Sequence, residues 1–101
     1  MIRCVRFRAY RKNTLQGFAD LQLVRTGIVI KDCALHERGG RWWISFPARS
    51  YQVDGRTQWA ALIEFADGAD EARETFQRLA VAAVRAFADK QAHSGARHDA
   101  A

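Results

Sequence analysis

Residues 38–49 read Arg38-Gly-Gly-Arg-Trp-Trp-Ile-Ser-Phe-Pro-Ala-Arg49 and carry more structural information than any other stretch of the chain. The glycine pair suits the positive φ angles of a tight turn, so it predicts a hairpin between a strand ending near Glu37 and a strand from Arg41 to Phe46. Pro47 ends the second strand, because proline lacks the N–H that a sheet ladder needs. Aromatic side chains bracketed by arginines are typical of a sheet that meets an anionic or base-bearing partner. The stretch therefore indicates binding rather than catalysis.

The two adjacent tryptophans of this stretch must lie on opposite faces of a strand. Trp42 is in register with Ile44 and Phe46, so we predict that Trp42 shares the buried face. Three roles stay open for Trp43: a dimer seam, which we prefer, a surface on which a base stacks, and ordinary packing within the chain.

Period-two alternation on both sides of the hairpin predicts further antiparallel strands. It runs through residues 3–11, 15–25 and 28–37, and Thr57 to Phe65 resumes it after a loop with the turn signal Asp54-Gly55. The residues expected to face a helix include Val5, Leu21 and Trp59. Those expected on the opposite face are Cys4, Arg6, Arg8, Tyr10, Phe18, Gln22, Leu62 and Trp43.

The periodicity changes to that of a helix near residue 70. Apolar side chains from Ala72 to Phe87 recur at helical spacing, Gln77 is expected on the solvated side, and Ser94-Gly95 is expected to end the helix. We therefore predict an α+β fold in which about five antiparallel strands precede one C-terminal amphipathic helix packed on one face of the sheet. Residues 1–92 would form the single domain and residues 93–101 a flexible tail.

Composition favours one small domain without a membrane anchor. The chain has 101 residues, of which 49% are hydrophobic, enough for one core. It contains no long apolar run and no N-terminal signal peptide, in which a charged segment would precede an apolar one, so a soluble, cytoplasmic protein is expected. Cys4 and Cys33 are too few for a disulfide framework and are expected to be free and buried.

Positive charge is concentrated in the N-terminal part of the chain. Residues 1–60 carry eleven Lys or Arg and four Asp or Glu, which gives +7, whereas residues 61–101 carry five and seven, which gives −2. Thirteen of the sixteen basic residues are Arg, which suits bidentate contacts with phosphate, although codon bias explains that choice equally well.

Seven basic residues are candidates for phosphate contacts, because neighbouring strands can gather them on one positive surface. They are Arg6, Arg8, Arg11, Lys12, Arg41, Arg49 and Arg56. The alternative is a solvated basic face that aids solubility. One helix covers only one face of a sheet, so apolar groups on the other face would be exposed in a monomer. Their exposure favours a homodimer that forms through the sheet or its edge. The candidates for this dimer contact, or for stacking, are Tyr10, Phe18 and Trp43.

Catalytic and metal-binding sites have little support in the sequence. His36, His93 and His98 are scattered, and no motif joins them to a nucleophile. Asp32, Cys33 and His36 are near one another in sequence, but alternation places Cys33 on the other face from Asp32 and His36, so a structural role is preferred. We predict no enzymatic activity, no cofactor and no metal site.

Four stretches carry a resemblance to a known family: Ala19-Asp20-Leu21, Gly27-Ile-Val-Ile-Lys-Asp32, Gly40-Arg-Trp-Trp-Ile-Ser-Phe-Pro47-Ala-Arg49 and Asp54-Gly55. They resemble the stage V sporulation protein G family, small bacterial regulators also called septation proteins, and the similarity extends more weakly over residues 3–87. The resemblance implies a sheet-plus-helix domain that dimerises and binds DNA or RNA as a regulator without catalysis.

Two functions follow from these observations as expectations. The first is a nucleic-acid-binding regulatory homodimer, supported by the basic N-terminal part, the aromatic hairpin and the resemblance. The second is a protein-interaction or scaffold module that oligomerises through its exposed sheet and binds no nucleic acid. The sequence leaves open whether DNA or RNA is bound, whether it is single- or double-stranded, and which bases are preferred.

Overall fold

The computed structural model describes the backbone of residues 1–100 and the side chains of residues 1–93. The elements are β1 (Ile2–Lys12), β2 (Leu15–Leu23), β3 (Ile28–Arg38), β4 (Arg41–Ser45), β5 (Ala48–Val53), β6 (Arg56–Ala61) and α1 (Asp70–Ala100). The first four strands form an antiparallel sheet in the order β1-β2-β3-β4, and β5 and β6 form a separate antiparallel pair. The predicted α+β class with one C-terminal helix is confirmed, with six strands rather than five. No helix within residues 1–100 is long and apolar enough to cross a membrane.

The hairpin between β3 and β4 has the predicted glycine turn. Arg38 pairs with Arg41, and Gly39 and Gly40 both have positive φ angles, of 60° and 83°. Two consecutive positive φ angles are the signature of the two-residue turn whose twist matches that of the flanking strands. Glu37 Oε2 also accepts a hydrogen bond of 2.8 Å from Gly40 N–H, which fixes the turn further.

A bulge in β1 overturns part of the predicted alternation. Cys4 pairs with Leu21 and Arg6 with Asp20, so Val5 is an extra residue without a partner. Cys4 is consequently buried and Val5 is 42% exposed, and the predictions that Val5 faces the helix and that Cys4 lies outside are wrong. A bulge adds one residue, so the alternation between the two faces of the strand shifts by one position after it. A prediction that assumes strict alternation along the whole strand cannot detect this shift.

The helix covers one face of the four-stranded sheet and forms the core with it. Ala80 and Val84 are fully buried against the sheet residues Leu21 and Leu35. Phe76 and Phe87 pack beside them, so the predicted apolar stripe of the helix is confirmed.

The helix is longer than predicted. It continues through Ser94 and Gly95 to Ala100, so the predicted end at these two residues is wrong. A single glycine lowers helix stability by only about 1 kcal/mol relative to alanine and removes no backbone hydrogen bond, so it need not end a helix. Ala101 lies outside the described residues, as do the side chains of residues 94–100. The division into a domain and a flexible tail stays a prediction.

Residues 48–61 form a second hairpin where a loop and part of a strand were predicted. Asp54-Gly55 is its turn, as predicted, with φ angles of 51° and 75°. The hairpin is not part of the main sheet, and every residue of its two strands except Ala60 is exposed. The prediction that Trp59 faces the helix is therefore wrong, since its side chain is 69% exposed.

Three phenylalanines anchor the chain where it returns from this hairpin to the helix. The ring centroid of Phe46 lies 5.9 Å from that of Phe65 and 5.1 Å from that of Phe76, and the rings of Phe65 and Phe76 are 5.5 Å apart in an edge-to-face arrangement. Aromatic pairs at these separations contribute stability beyond their buried area. The strand predicted to reach Phe65 ends at Ala61, but Phe65 still packs against Phe46 and Phe76, which border the core.

Candidate nucleic-acid interface

The face of the main sheet opposite the helix, here termed the outer face, carries a band of basic and aromatic side chains. Strand register and side-chain contacts place these residues on it: Arg6, Arg8, Tyr10, Phe18, Asp20, Ala34, His36, Trp43 and Ser45. Within residues 1–100, the single helix packs on the other face, and the β5–β6 hairpin is a separate sheet that makes no extensive contact with the main sheet. The outer-face positions predicted for Arg6, Arg8, Tyr10, Phe18 and Trp43 agree with the structure.

Phe18 is the centre of one aromatic cluster on the outer face. The guanidinium carbon of Arg8 lies 5.2 Å from the centroid of the Phe18 ring, and the Tyr10 ring centroid lies 6.2 Å from it. Arg8 and Phe18 are direct neighbours across β1 and β2, which holds the cation beside the ring. Tyr10 remains 51% exposed, so the cluster offers aromatic surface beside a positive charge.

Trp43 stacks on His36 at the other side of the outer face. The two rings are nearly parallel, with centroids 5.2 Å apart and an interplanar angle of 9°. His36 is fixed by Thr14 Oγ1 at 2.9 Å from Nδ1 and by Ser45 Oγ at 3.2 Å from Nε2. Burial lowers the pKa of His36, so the neutral ring is favoured. Packing within the chain is thus one role of Trp43, and its roles in a dimer seam or in base stacking stay predictions.

A second group of basic residues lies at the end of the sheet where the β1–β2 and β3–β4 turns meet. Lys12 pairs with Leu15 and Arg38 with Arg41, so both turns are at the same end, and Glu37 N–H donates to the Thr14 carbonyl at 2.9 Å. This end gathers the predicted Arg11, Lys12 and Arg41 together with Arg38. Sequence reasoning missed Arg38, although its position opposite Arg41 across a two-residue turn would have predicted it.

The remaining predicted residues, Arg49 and Arg56, belong to the separate β5–β6 hairpin. Arg49 pairs with Ala60 and Val53 with Arg56, so alternation places both arginines on the same face of the hairpin, with Tyr51 between them. Trp59 pairs with Ser50 and lies on the opposite face. The seven predicted basic residues therefore fall into three groups rather than one continuous surface, and sequence reasoning missed Tyr51 and the exposure of Trp59.

The exposed edge of β4 is occupied by a helix side chain. Ile44 N–H donates to Gln77 Oε1 and Gln77 Nε2 donates to the Ile44 carbonyl, both at 2.8 Å. Another helix residue contacts the same strand: the guanidinium carbon of Arg85 lies 4.2 Å from the centroid of the Trp42 ring. Trp42 packs against the core, as predicted, whereas the expectation that Gln77 is merely solvated is wrong.

The two cysteines are free and buried, as predicted. Burial raises the pKa of Cys4, and burial together with nearby Asp20 and Asp32 raises the pKa of Cys33 to about 12. Both thiols are therefore protonated near neutral pH, which makes them poor nucleophiles. Cys33 faces the core and His36 the outer face, so these two do not converge on a common site.

No protein-family model, curated protein or solved structure was found to match this chain. The residues of the outer face, the turn end and the β5–β6 hairpin are therefore the basis for a functional proposal.

Proposed function

We propose that this chain is a non-catalytic, nucleic-acid-binding regulatory protein that acts as a dimer. The observation that carries the proposal is the outer face, where Arg8 lies over the Phe18 ring, the Tyr10 ring is next to that of Phe18, and Arg6 lies opposite Asp20. The helix packs on the other face of the sheet. Guanidinium groups contact phosphates and displace their counterions, while aromatic faces stack on bases. The combination fits DNA or RNA better than a partner that carries only negative charge.

The form of the aromatic surface favours a single strand as the ligand. The bases of a duplex are stacked on one another and do not offer their faces to a sheet, whereas unpaired bases can lie on exposed rings. The exposed Tyr10 ring and the half-buried Phe18 ring form such a surface, and Arg8 lies against Phe18. We therefore infer that the outer face holds unpaired bases and that the arginines beside them contact the strand's phosphates.

The β5–β6 hairpin supports the dimeric part of the proposal. A two-stranded hairpin is marginally stable by itself in water, and this one exposes Trp59, Tyr51 and Val53. Gln77 occupies the outward-facing backbone groups of Ile44 on β4, whereas neither strand of the hairpin has a second neighbour in its sheet. A second copy of the hairpin, related by two-fold symmetry, can pair with the outward-facing backbone groups of β5 or β6 and cover Trp59. This seam would leave the outer face free for nucleic acid.

The resemblance to the stage V sporulation protein G family agrees with this proposal, because it implies a dimer that binds DNA or RNA. That family assignment is itself a proposal. It rests on the four similar stretches between Ala19 and Gly55.

The exposed hairpin also favours a second candidate function. Trp59 is 69% exposed, and exposed tryptophan is enriched where proteins contact one another. A protein-interaction or scaffold module would use the hairpin in the same way, and the charge of +5 would then only aid solubility. The two functions differ in whether the outer face contacts phosphates.

Binding of a fluorescent single-stranded oligonucleotide at two salt concentrations separates these candidates. The nucleic-acid-binding protein should bind at low salt, lose affinity as salt rises, and lose affinity again when Arg6 and Arg8 are replaced by glutamate. A scaffold module should give no salt-dependent binding at any concentration at which it remains folded.

A further inference from the structure

A polar basin on the outer face lies where two bulges flank the same residue. Val5 is the extra residue on β1 beside Asp20, and on β3 the two residues Lys31 and Asp32 lie opposite Asp20 alone. The basin has a volume of about 350 Å³ and is lined by Arg6, Arg8, Phe18, Asp20, Lys31 and Asp32. This volume is at the lower end of the range of small-molecule sites, about 300–1,000 Å³.

The carboxylate of Asp20 is held in place inside this basin. Asp32 N–H donates to Asp20 Oδ1 at 3.1 Å, and Asp32 has a φ of 58°, a conformation that is uncommon for a residue other than glycine. Since each carboxylate oxygen can accept two hydrogen bonds, Asp20 keeps acceptor capacity for a ligand. The bulge thus positions an acceptor without using it up.

The charges around Asp20 are not neutralised by direct pairing. Within residues 1–93, the ion pair between Arg73 and Asp70, at 3.3 Å, is the only one with a separation of 4.0 Å or less. Arg6, Arg8 and Lys31 line the basin together with Asp20 and Asp32 without meeting this distance. A ligand that fits must therefore bring hydrogen-bond donors for the carboxylate and negative charge for the cations.

A nucleotide unit of a single strand meets both requirements, and its base can also stack on the Arg8–Phe18 pair. Among the bases, guanine alone places two adjacent donors, N1–H and the N2 amino group, on its pairing edge, where they match the two oxygens of a carboxylate. Adenine and cytosine place one amino group beside an acceptor nitrogen, which a carboxylate repels. Thymine and uracil place one N–H between two carbonyl oxygens, which are repelled in the same way.

We infer that the basin beside Asp20 binds one guanine base of a single-stranded nucleic acid. Asp20 accepts from N1–H and from the N2 amino group, the Arg8–Phe18 pair supplies the stacking surface, and Arg6, Lys31 and the N–H edge of the Arg8 guanidinium contact the neighbouring phosphates. This inference rests on the proposed function and adds a base preference to it.

The test compares oligothymidylate with the same oligomer carrying one central guanine, inosine, adenine or cytosine, by fluorescence anisotropy at fixed salt. One well-placed bidentate contact should make the guanine oligomer bind about tenfold more tightly than oligothymidylate. Inosine lacks the N2 amino group and should lose most of this gain. Asp20→Asn keeps an oxygen for Asp32 N–H but replaces the second acceptor with a donor, so the preference should disappear. Asp54→Asn, at the β5–β6 turn, is the control and should keep it.

The possible outcomes separate this inference from the proposed function. Equal, salt-dependent binding of all five oligomers would overturn the guanine pocket and leave the proposed function in place, as would a preference for cytosine or adenine. Absence of binding to every oligomer would overturn both. The inosine comparison uses the unmodified protein, so it decides the matter even if Asp20→Asn does not fold.

Discussion

The side-chain amide of Gln77 forms two hydrogen bonds of 2.8 Å with the backbone of Ile44, accepting one from its N–H and donating one to its carbonyl. Ile44 lies on β4, an edge strand of the main sheet, and its partner Leu35 lies on the opposite side. The amide therefore satisfies the groups that a fifth strand would use, and it joins the helix to the sheet edge. An open edge strand is a template for unwanted pairing, which this arrangement prevents.

We expect Gln77→Ala to lower the free energy of unfolding by about 2 kcal/mol, since two partly buried backbone groups lose their partners. Urea denaturation measures the change. Gln58→Ala, at an exposed position of β6, is the matched control and should stay within about 0.5 kcal/mol of the unmodified protein. Equal stability of both variants would mean that water replaces the Gln77 amide at no cost.

Replacement of Trp59 by serine should weaken self-association. In the proposed dimer this side chain becomes buried between two β5–β6 hairpins, so its loss should raise the dissociation constant more than tenfold, as for a central aromatic contact worth about 2 kcal/mol or more. Sedimentation over a range of concentrations measures it. Leu62 is also exposed but lies outside the hairpin, so Leu62→Ser should leave the dissociation constant unchanged. A monomeric unmodified protein would rule out the dimer.

His36 should make the stability of the fold depend on pH. Burial lowers the pKa of His36 in the folded state, so the fold favours the neutral ring, whose two nitrogens contact Thr14 and Ser45. A lowered pKa means that the folded state gives up its proton more readily than the unfolded chain does. The stabilisation is therefore complete above a pH of about 6.5 and is lost as the pH falls through the folded-state pKa.

The measurement is the free energy of unfolding of the unmodified protein and of His36→Asn at neutral and at mildly acidic pH. The unmodified protein should lose more stability on acidification than the variant, which has no ring to protonate at this position. The other two histidines, His93 and His98, are present in both proteins and so do not contribute to the difference between them. An identical loss in the two proteins would show that His36 does not carry the effect.

The sequence predicts those structural features that depend on residues adjacent in the chain. It misses those that depend on which strands and helices pack together in the fold. Gly39-Gly40 and Asp54-Gly55 are turns because their positive φ angles are a local property. Trp59 is apolar and lies in an alternating segment, but burial requires that its strand join the main sheet, and local pattern carries no information on that. Its predicted contact with the helix failed for this reason.

The candidate site was predicted in part for the same physical reason. Arg6, Arg8 and Phe18 lie together because β1 and β2 pair through a short turn, and the alternation of residues 3–11 and 15–25 predicts both strands. The basin around Asp20 depends on two bulges, and a bulge inserts a residue without changing composition, so no period in the sequence reports it. Gln77 is a polar residue of the kind found on the solvent-exposed side of a helix. It stabilises the fold only because the helix places it beside the edge of β4.

The most direct test of the central claim is the salt dependence of single-strand binding by the Arg6→Glu/Arg8→Glu double variant. The control is Arg78→Glu/Lys90→Glu, which changes net charge equally at exposed positions of the helix. We expect the outer-face variant to bind at least tenfold more weakly at low salt. The slope of log affinity against log salt should fall by roughly 1.4 in magnitude, because each single-strand phosphate that an arginine no longer neutralises removes about 0.7.

The helix control should keep the slope of the unmodified protein and most of its affinity, because its residues lie on the other side of the sheet. Equal losses of affinity in the two double variants would contradict the account, since the charge of the whole molecule would then explain the binding without a site on the outer face.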